Sequence, residues 1–186
     1  MTDTKDLPEG DVVAILLEQH QRIEDLLDEV GTSEGDERQQ LFEELRALLA
    51  VHETAEEMVL RPVTIDVAGK DVADARNDEE REANKVLKTL EAVDAAGDDF
   101  LTTFEELRAA VLAHAKAEET EEFPAILAGC DEDQRRGMGT LLRAAEKVAP
   151  TRAHPIAAGS PVRQAALGPM ASVVDRTRDA ISAALS

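Results

Sequence analysis

Residues 51–62 read VHETAEEMVLRP, and residues 113–124 read AHAKAEETEEFP. In both, a His is followed four residues later by a Glu, then by more acid, then by an aliphatic or aromatic residue and a Pro. On an α-helix, residues i and i+4 lie one above the other. His52 with Glu56, and His114 with Glu118, are thus expected to point into one volume, each pair from its own helix.

Periodicity outside these stretches is helical throughout. Val13, Leu16, His20, Ile23, Leu27 and Val30 recur at spacings of three and four, which predicts an amphipathic helix over about Asp11 to Val30 with His20 on its apolar stripe. GTSEGDE breaks it. A second helix is expected from Glu37 to Leu60, with Leu41, Leu45, Leu48, His52, Ala55 and Val59 inward and Pro62 as its stop. After a loop containing TIDVAGK, a third helix runs from Val72 to Ala95, with Ala83, Leu87 and Leu90 facing in, and Gly97 closes it. The fourth carries Phe100, Phe104, Leu107, Val111, His114 and Glu118 and ends near Leu127. A shorter helix follows from Glu132 to Val148, then the connector APTRAHPIAAGSP, then a last amphipathic helix from Pro169 to Leu185.

Four long helices with short connections predict an all-α protein, an antiparallel up-down four-helix bundle with a helical C-terminal extension. The bundle is assigned to residues 1–130 and the extension to residues 131–186, packed on the bundle or on a partner subunit. A homodimer through the C-terminal helix is one outcome of that arrangement.

Composition agrees with this fold class. Hydrophobic residues make up 43% of the 186 and charged residues 32%, with no Trp, no Tyr and four Phe, so the core must be aliphatic. The net charge of −20 argues against nucleic acid or an anionic membrane as partner. No apolar run approaches the roughly 20 residues a membrane-spanning helix needs. The polar start MTDTKDLPEGD is unlike a secretory signal, and the lone Cys130 fits a reducing compartment, so a cytoplasmic location is expected.

The chemistry lies in the histidines. His20, His52 and His114, three of the four in the chain, occupy inner faces of three different helices. A single inward His is usually a hydrogen-bonded core residue, and an acid in AEETEE is usually solvated. Two copies of His-x-x-x-Glu beside a third inward His are better explained by a metal, because buried unpaired polar groups are costly. Imidazole with carboxylate suits iron, zinc or manganese, and a carboxylate can bridge two ions. Neither His-Glu-x-x-His nor Glu-x-x-His occurs, which removes zinc proteases and ferritin-like di-iron bundles.

These residues resemble the bacterial hemerythrin-like proteins, the HHE cation-binding domain, over about the first 128 residues. HETAEEMVLRP and HAKAEETEEFP resemble that family's second and fourth helices. The resemblance implies a bundle holding two iron ions, oxo- or hydroxo-bridged, with zinc or manganese as alternatives. Carried over by position, His20, His52 and His114 would be terminal ligands and Glu56 and Glu118 the bridges. Helix three departs from the family, since Asn84 stands where another His is usual; Glu80, one turn earlier, is an alternative contributor, as is water. The function implied is a sensor, scavenger or store that binds or reacts with a small oxidant (O2, H2O2 or NO). Catalase- or peroxidase-like activity, iron delivery and a purely structural interaction bundle remain as alternatives. Met58 and Phe123 are expected to keep the site dry, His154 to be a surface residue, and Cys130 to be inert.

Overall fold

The computed structural model describes residues 7–147 apart from Ala96. Among these residues the secondary structure is helical and no strand occurs: α1 (Val12–Thr32), α2 (Gly35–Val67), α3 (Lys70–Leu90), α4 (Asp98–Ala117), a π-helical turn (Glu118–Glu122), α5 (Phe123–Gly129) and α6 (Glu132–Glu146). The C-terminal connector with His154, the helix expected over Pro169–Leu185 and any dimer through it fall outside the described residues.

α1 through α4 form a ring in which each helix runs opposite to its neighbours. Residues 22 and 19 of α1 bond residues 44 and 52 of α2, while residues 46, 53 and 61 of α2 bond residues 91, 84 and 80 around α3. Residues 28 and 20 of α1 meet residues 108 and 119 of the last long helix. Connections of two residues between α1 and α2, and again between α2 and α3, force these reversals.

The observed boundaries correct several sequence expectations. Pro62 does not end α2, which runs on to Val67. Pro62 lacks an N–H to bond the carbonyl one turn back, a loss a helix tolerates when packing compensates. Here Val63 enters the core with Val67 against it, and Glu122 accepts from Arg61 and Thr64, gripping the helix on both sides of the proline. TIDVAGK is therefore mostly helix, and Ala68 and Gly69 make the turn, Gly69 at φ 97°. α3 stops at Leu90 instead of Ala95, and Gly97 opens α4 instead of closing α3. The fourth helix is interrupted before Leu127 by the π turn, immediately ahead of Pro124. A widened turn there relieves the clash between a proline ring and the carbonyl four residues back. α2's buried face is also turned slightly, so that Phe42 and Leu49 are buried where Leu41 and Leu48 were expected to be.

The apolar interior falls into two clusters. One joins Ile23, Leu27, Phe42, Leu45, Leu87, Phe100, Phe104 and Leu107 at one end of the ring. The other joins Val13, Leu16, Val59, Val63, Phe123 and Ile126, and α6 contributes Met138, Leu142 and Ala145 to it. α6 thus packs on α1 and α2, and Arg135 fastens it to Asp11, the N-cap of α1, at 2.7 Å. At Gly139 the approach is so close that a Cβ would stand 2.1 Å from the Gly10 carbonyl oxygen. Gly139→Ala is expected to push α6 away and destabilise the protein by about 1–3 kcal/mol. Denaturant unfolding of the full chain measures this.

Candidate metal centre

Between the two apolar clusters lies a slab of charge. His20 comes from α1, His52 and Glu56 from α2, Glu80 from α3, His114 from α4 and Glu118 from the π turn. Glu56 and Glu118 have no exposed surface, and the three histidines are buried. Nε2 of His20 lies 3.3 Å from Glu118, Nε2 of His114 3.3 Å from the other Glu118 oxygen, and Nε2 of His52 3.4 Å from Glu56. Nε2 of His114 also stands 3.8 Å from Glu80.

The outward nitrogens are each engaged. Nδ1 of His20 meets Glu119 at 3.1 Å, Nδ1 of His114 meets Glu79 at 3.0 Å, and Nδ1 of His52 meets Gln19 at 2.7 Å. Second partners of this kind hold an imidazole with its other nitrogen aimed at a metal. Phe123 stacks on His20 at a ring separation of 5.5 Å, and Met58 packs at the edge of the adjoining cluster.

The inward atoms, by contrast, find no hydrogen-bond partner. Nε2 of His20 and of His114 and both oxygens of Glu56 and of Glu118 are buried and unsatisfied. Such orphans are rare in folded proteins. Their ligand atoms assemble into two groups, His20, His52, Glu56 and Glu118, and Glu56, Glu80, His114 and Glu118, each with its atoms within 4.8 Å of one another. The donor set therefore fits metal ions, and two of the carboxylates are common to both groups.

Helix three supplies Glu80 to the second group, while Asn84 turns aside and donates to Glu53 at 2.8 Å. Arg61 occupies the space beside Glu80. Its guanidinium bonds Glu80, grips both oxygens of Glu122 at 2.8 and 3.1 Å, and lies 3.5 Å from Glu118. Arg61, Glu122, Gln19, Glu79 and Glu119 were not among the site residues expected from the sequence. Glu122 carried a signal, since it follows Glu118 at helical spacing, but in an acid-rich run that looks like solvated surface. Arg61 and Gln19 had no signal of their own.

The electrostatics are those of a crowded, desolvated site. Burial opposes charge on His20, but the carboxylates of Glu118 and Glu119 outweigh it and raise that imidazole to about 9. His114 goes to about 9 in the same way, burial being outweighed by Glu118 and Glu79. His52, buried and facing the charge of His20, drops to about 3. Burial and the neighbouring Glu118 lift Glu56 well above the carboxylate range. Glu118 is also buried, yet His114 and His20 hold it well below that range. Burial raises Glu53 to about 8 and Glu80 to about 7, the latter despite Arg61.

Fold and site together define a helical bundle with a carboxylate and histidine metal-binding core. The hemerythrin HHE cation binding domain model matches residues 11–126, and the chain belongs to that family. A hemerythrin HHE cation binding domain-containing protein from Mycobacterium kansasii shares the fold, with a TM-score of 0.68 at 20% identity over 90% of this chain and 98% of that one. A protein named DNA nickase from Nostoc sp. is 25% identical over 146 residues, 78% of this chain and 41% of that protein. The chain thus spans about two-fifths of that relative's length.

The raised groups give a pH dependence of definite sign. Between 6.5, where unfolded imidazole titrates, and about 9, His20 and His114 stay protonated in the metal-free fold but not in the unfolded chain. Glu53 and Glu80 hold protons in the fold to about 8 and about 7, long after the unfolded chain has lost them. Native protons in excess of unfolded ones mean that stability falls as pH rises. Metal-free protein is expected to lose thermal stability from pH 6.5 to about 9, the span of these imidazole shifts. Calorimetry with and without a divalent metal checks it, and the loaded protein should show a smaller loss because metal replaces the protons.

Proposed function

We propose that the slab holds two metal ions, iron in both positions, and that the protein binds or reacts with a small oxidant, O2, H2O2 or NO, as a sensor, scavenger or store. The observation that carries this is the sharing of Glu56 and Glu118 between two ligand groups. Two buried carboxylates common to both groups are suited to bridging a pair of ions, and the mixture of imidazole and carboxylate suits iron, with zinc and manganese as competitors. His20 and His52 serve the first position, and His114 with Glu80 the second.

Iron held in this way would supply a redox-active Lewis acid for a small ligand. The chain's own groups prepare the place for it. Glu119, Gln19 and Glu79 hold the outward imidazole nitrogens so that the inward ones face the slab. Arg61 orients Glu80 and offsets part of the surrounding negative charge. Phe123, 2% exposed, and the apolar clusters on either side limit water.

The second position has one imidazole where the first has two, so it carries more oxygen and less nitrogen. Two unlike positions are compatible with the alternative of a peroxide-decomposing enzyme. Neither nucleic acid nor a membrane surface is proposed as a partner: the charge of −20 repels phosphate, and no helix among the described residues is long and apolar enough to cross a membrane. Cytoplasmic residence is proposed on the chemistry of the lone Cys130, which is buried and unpaired.

Metal analysis after iron-replete expression is expected to give two irons per chain, lost in the His52→Ala, His114→Ala double mutant. Zinc in place of iron under those conditions would sink the di-iron assignment. With no Trp and no Tyr, the near-ultraviolet spectrum beyond the Phe bands reports the metal alone, and it should change on adding peroxide or NO. Oxygen release on peroxide addition separates the enzyme from a binder.

A further inference from the structure

α6 lies outside the ring of helices that supplies the metal-facing donors, yet it reaches one of them through a single intermediary. Glu146, in the last turn of α6, accepts from Nε2 of Gln19 at 2.5 Å. The other end of the Gln19 amide, Oε1, stands 2.7 Å from Nδ1 of His52. All three side chains are buried or half-buried.

The donor and acceptor inventory of these groups leaves one arrangement. A carboxylate offers acceptors only, so the amide must turn its NH2 toward Glu146. Its carbonyl oxygen then faces His52 and can only accept, so Nδ1 must carry the proton. A neutral imidazole protonated at Nδ1 has its lone pair on Nε2, the atom that points at Glu56 and into the first ligand group. His20 and His114 differ, because their Nδ1 atoms meet carboxylates directly and need no intermediary. For His52 an amide alone would not decide the matter, since an amide can present either end.

We propose that Glu146 is a positioning residue for His52: through Gln19 it selects the Nδ1-protonated tautomer, so that a helix outside the four-helix ring sets the ligand state of a residue inside it. The consequence for metal binding rests on the function proposed above, but the tautomer does not. α6 is thereby a control element. Loss of the Glu146 carboxylate releases the Gln19 amide, and the loss is felt at Nε2 of His52. Ordering partners one step removed from a metal commonly change affinity by about 10- to 100-fold.

The test uses the full-length chain. In the metal-free protein, nitrogen-detected NMR of the imidazoles reads the tautomer directly. Wild type is expected to show His52 protonated at Nδ1. Glu146→Gln keeps the size of the side chain but offers both donor and acceptor, and it should mix the two tautomers. Leu142→Ala, which loosens α6 without touching the relay, should lower thermal stability and leave the tautomer as in wild type. Zinc titration is expected to weaken by about tenfold or more in Glu146→Gln and to stay unchanged in Leu142→Ala. The proposal is overturned if His52 keeps a single Nδ1-protonated form in Glu146→Gln, or if Leu142→Ala mixes the tautomers equally well. A wild-type chain with the expected tautomer that takes up no zinc or iron would overturn the metal assignment and leave the relay standing.

Discussion

Two carboxylates with no exposed surface, Glu56 and Glu118, face each other across the middle of a helical bundle with no hydrogen-bond partner for any of their oxygens. Everything near them is arranged around the cost of that placement. Uncompensated, each buried charge costs several kcal/mol. Three imidazoles and one guanidinium surround the pair, and protons take up part of the remaining imbalance. The apolar core is split in consequence, because a continuous aliphatic interior would make the middle untenable. Each cluster seals one side of the slab, and the ring of helices is held together by two dry ends and a charged centre.

Much of this was legible in the sequence because helices repeat. The stripe through Val13, Leu16 and His20 places His20 inward by the same rule that buries the leucines, and the two His-x-x-x-Glu pairs are set by i and i+4 geometry alone. The five residues named from that pattern do converge. What failed to read was of two kinds. Boundaries near Pro62 and Pro124 depended on tertiary grips, such as Glu122 on Arg61 and Thr64, that no local pattern announces. The supporting polar residues were hidden by composition, since in a chain with 40 acids, Glu79, Glu119 and Glu122 look like solubility.

Helix three brings an acid to the slab, and a neighbouring helix brings the base that answers it. Asn84 does not contribute a ligand atom to either group, and Glu80 reaches in from one turn earlier. The Glu80 carboxyl group adds acid to the slab, and Arg61 lies against it. The acid on α3 is therefore matched by a base on α2. A guanidinium presents a planar fork suited to two carboxylates at once, which a lysine could not match. That explains why Arg61 can serve Glu80 and Glu122 from one position.

The π turn at Glu118–Glu122 has a consequence for how such chains are compared. A turn closed five residues back contains one residue more than the helix around it, equivalent to a rotation of about 100°. A helical wheel drawn straight from His114 to the end of the stretch therefore places Phe123 and Ile126 on the wrong side, although both are buried. Any relative that lacks the widened turn must differ by a one-residue deletion, or it will carry its apolar residues in another phase beyond that point. The register of residues after Glu122 is thus a marker, readable in sequences alone, of whether a relative holds its last carboxylates in the same way.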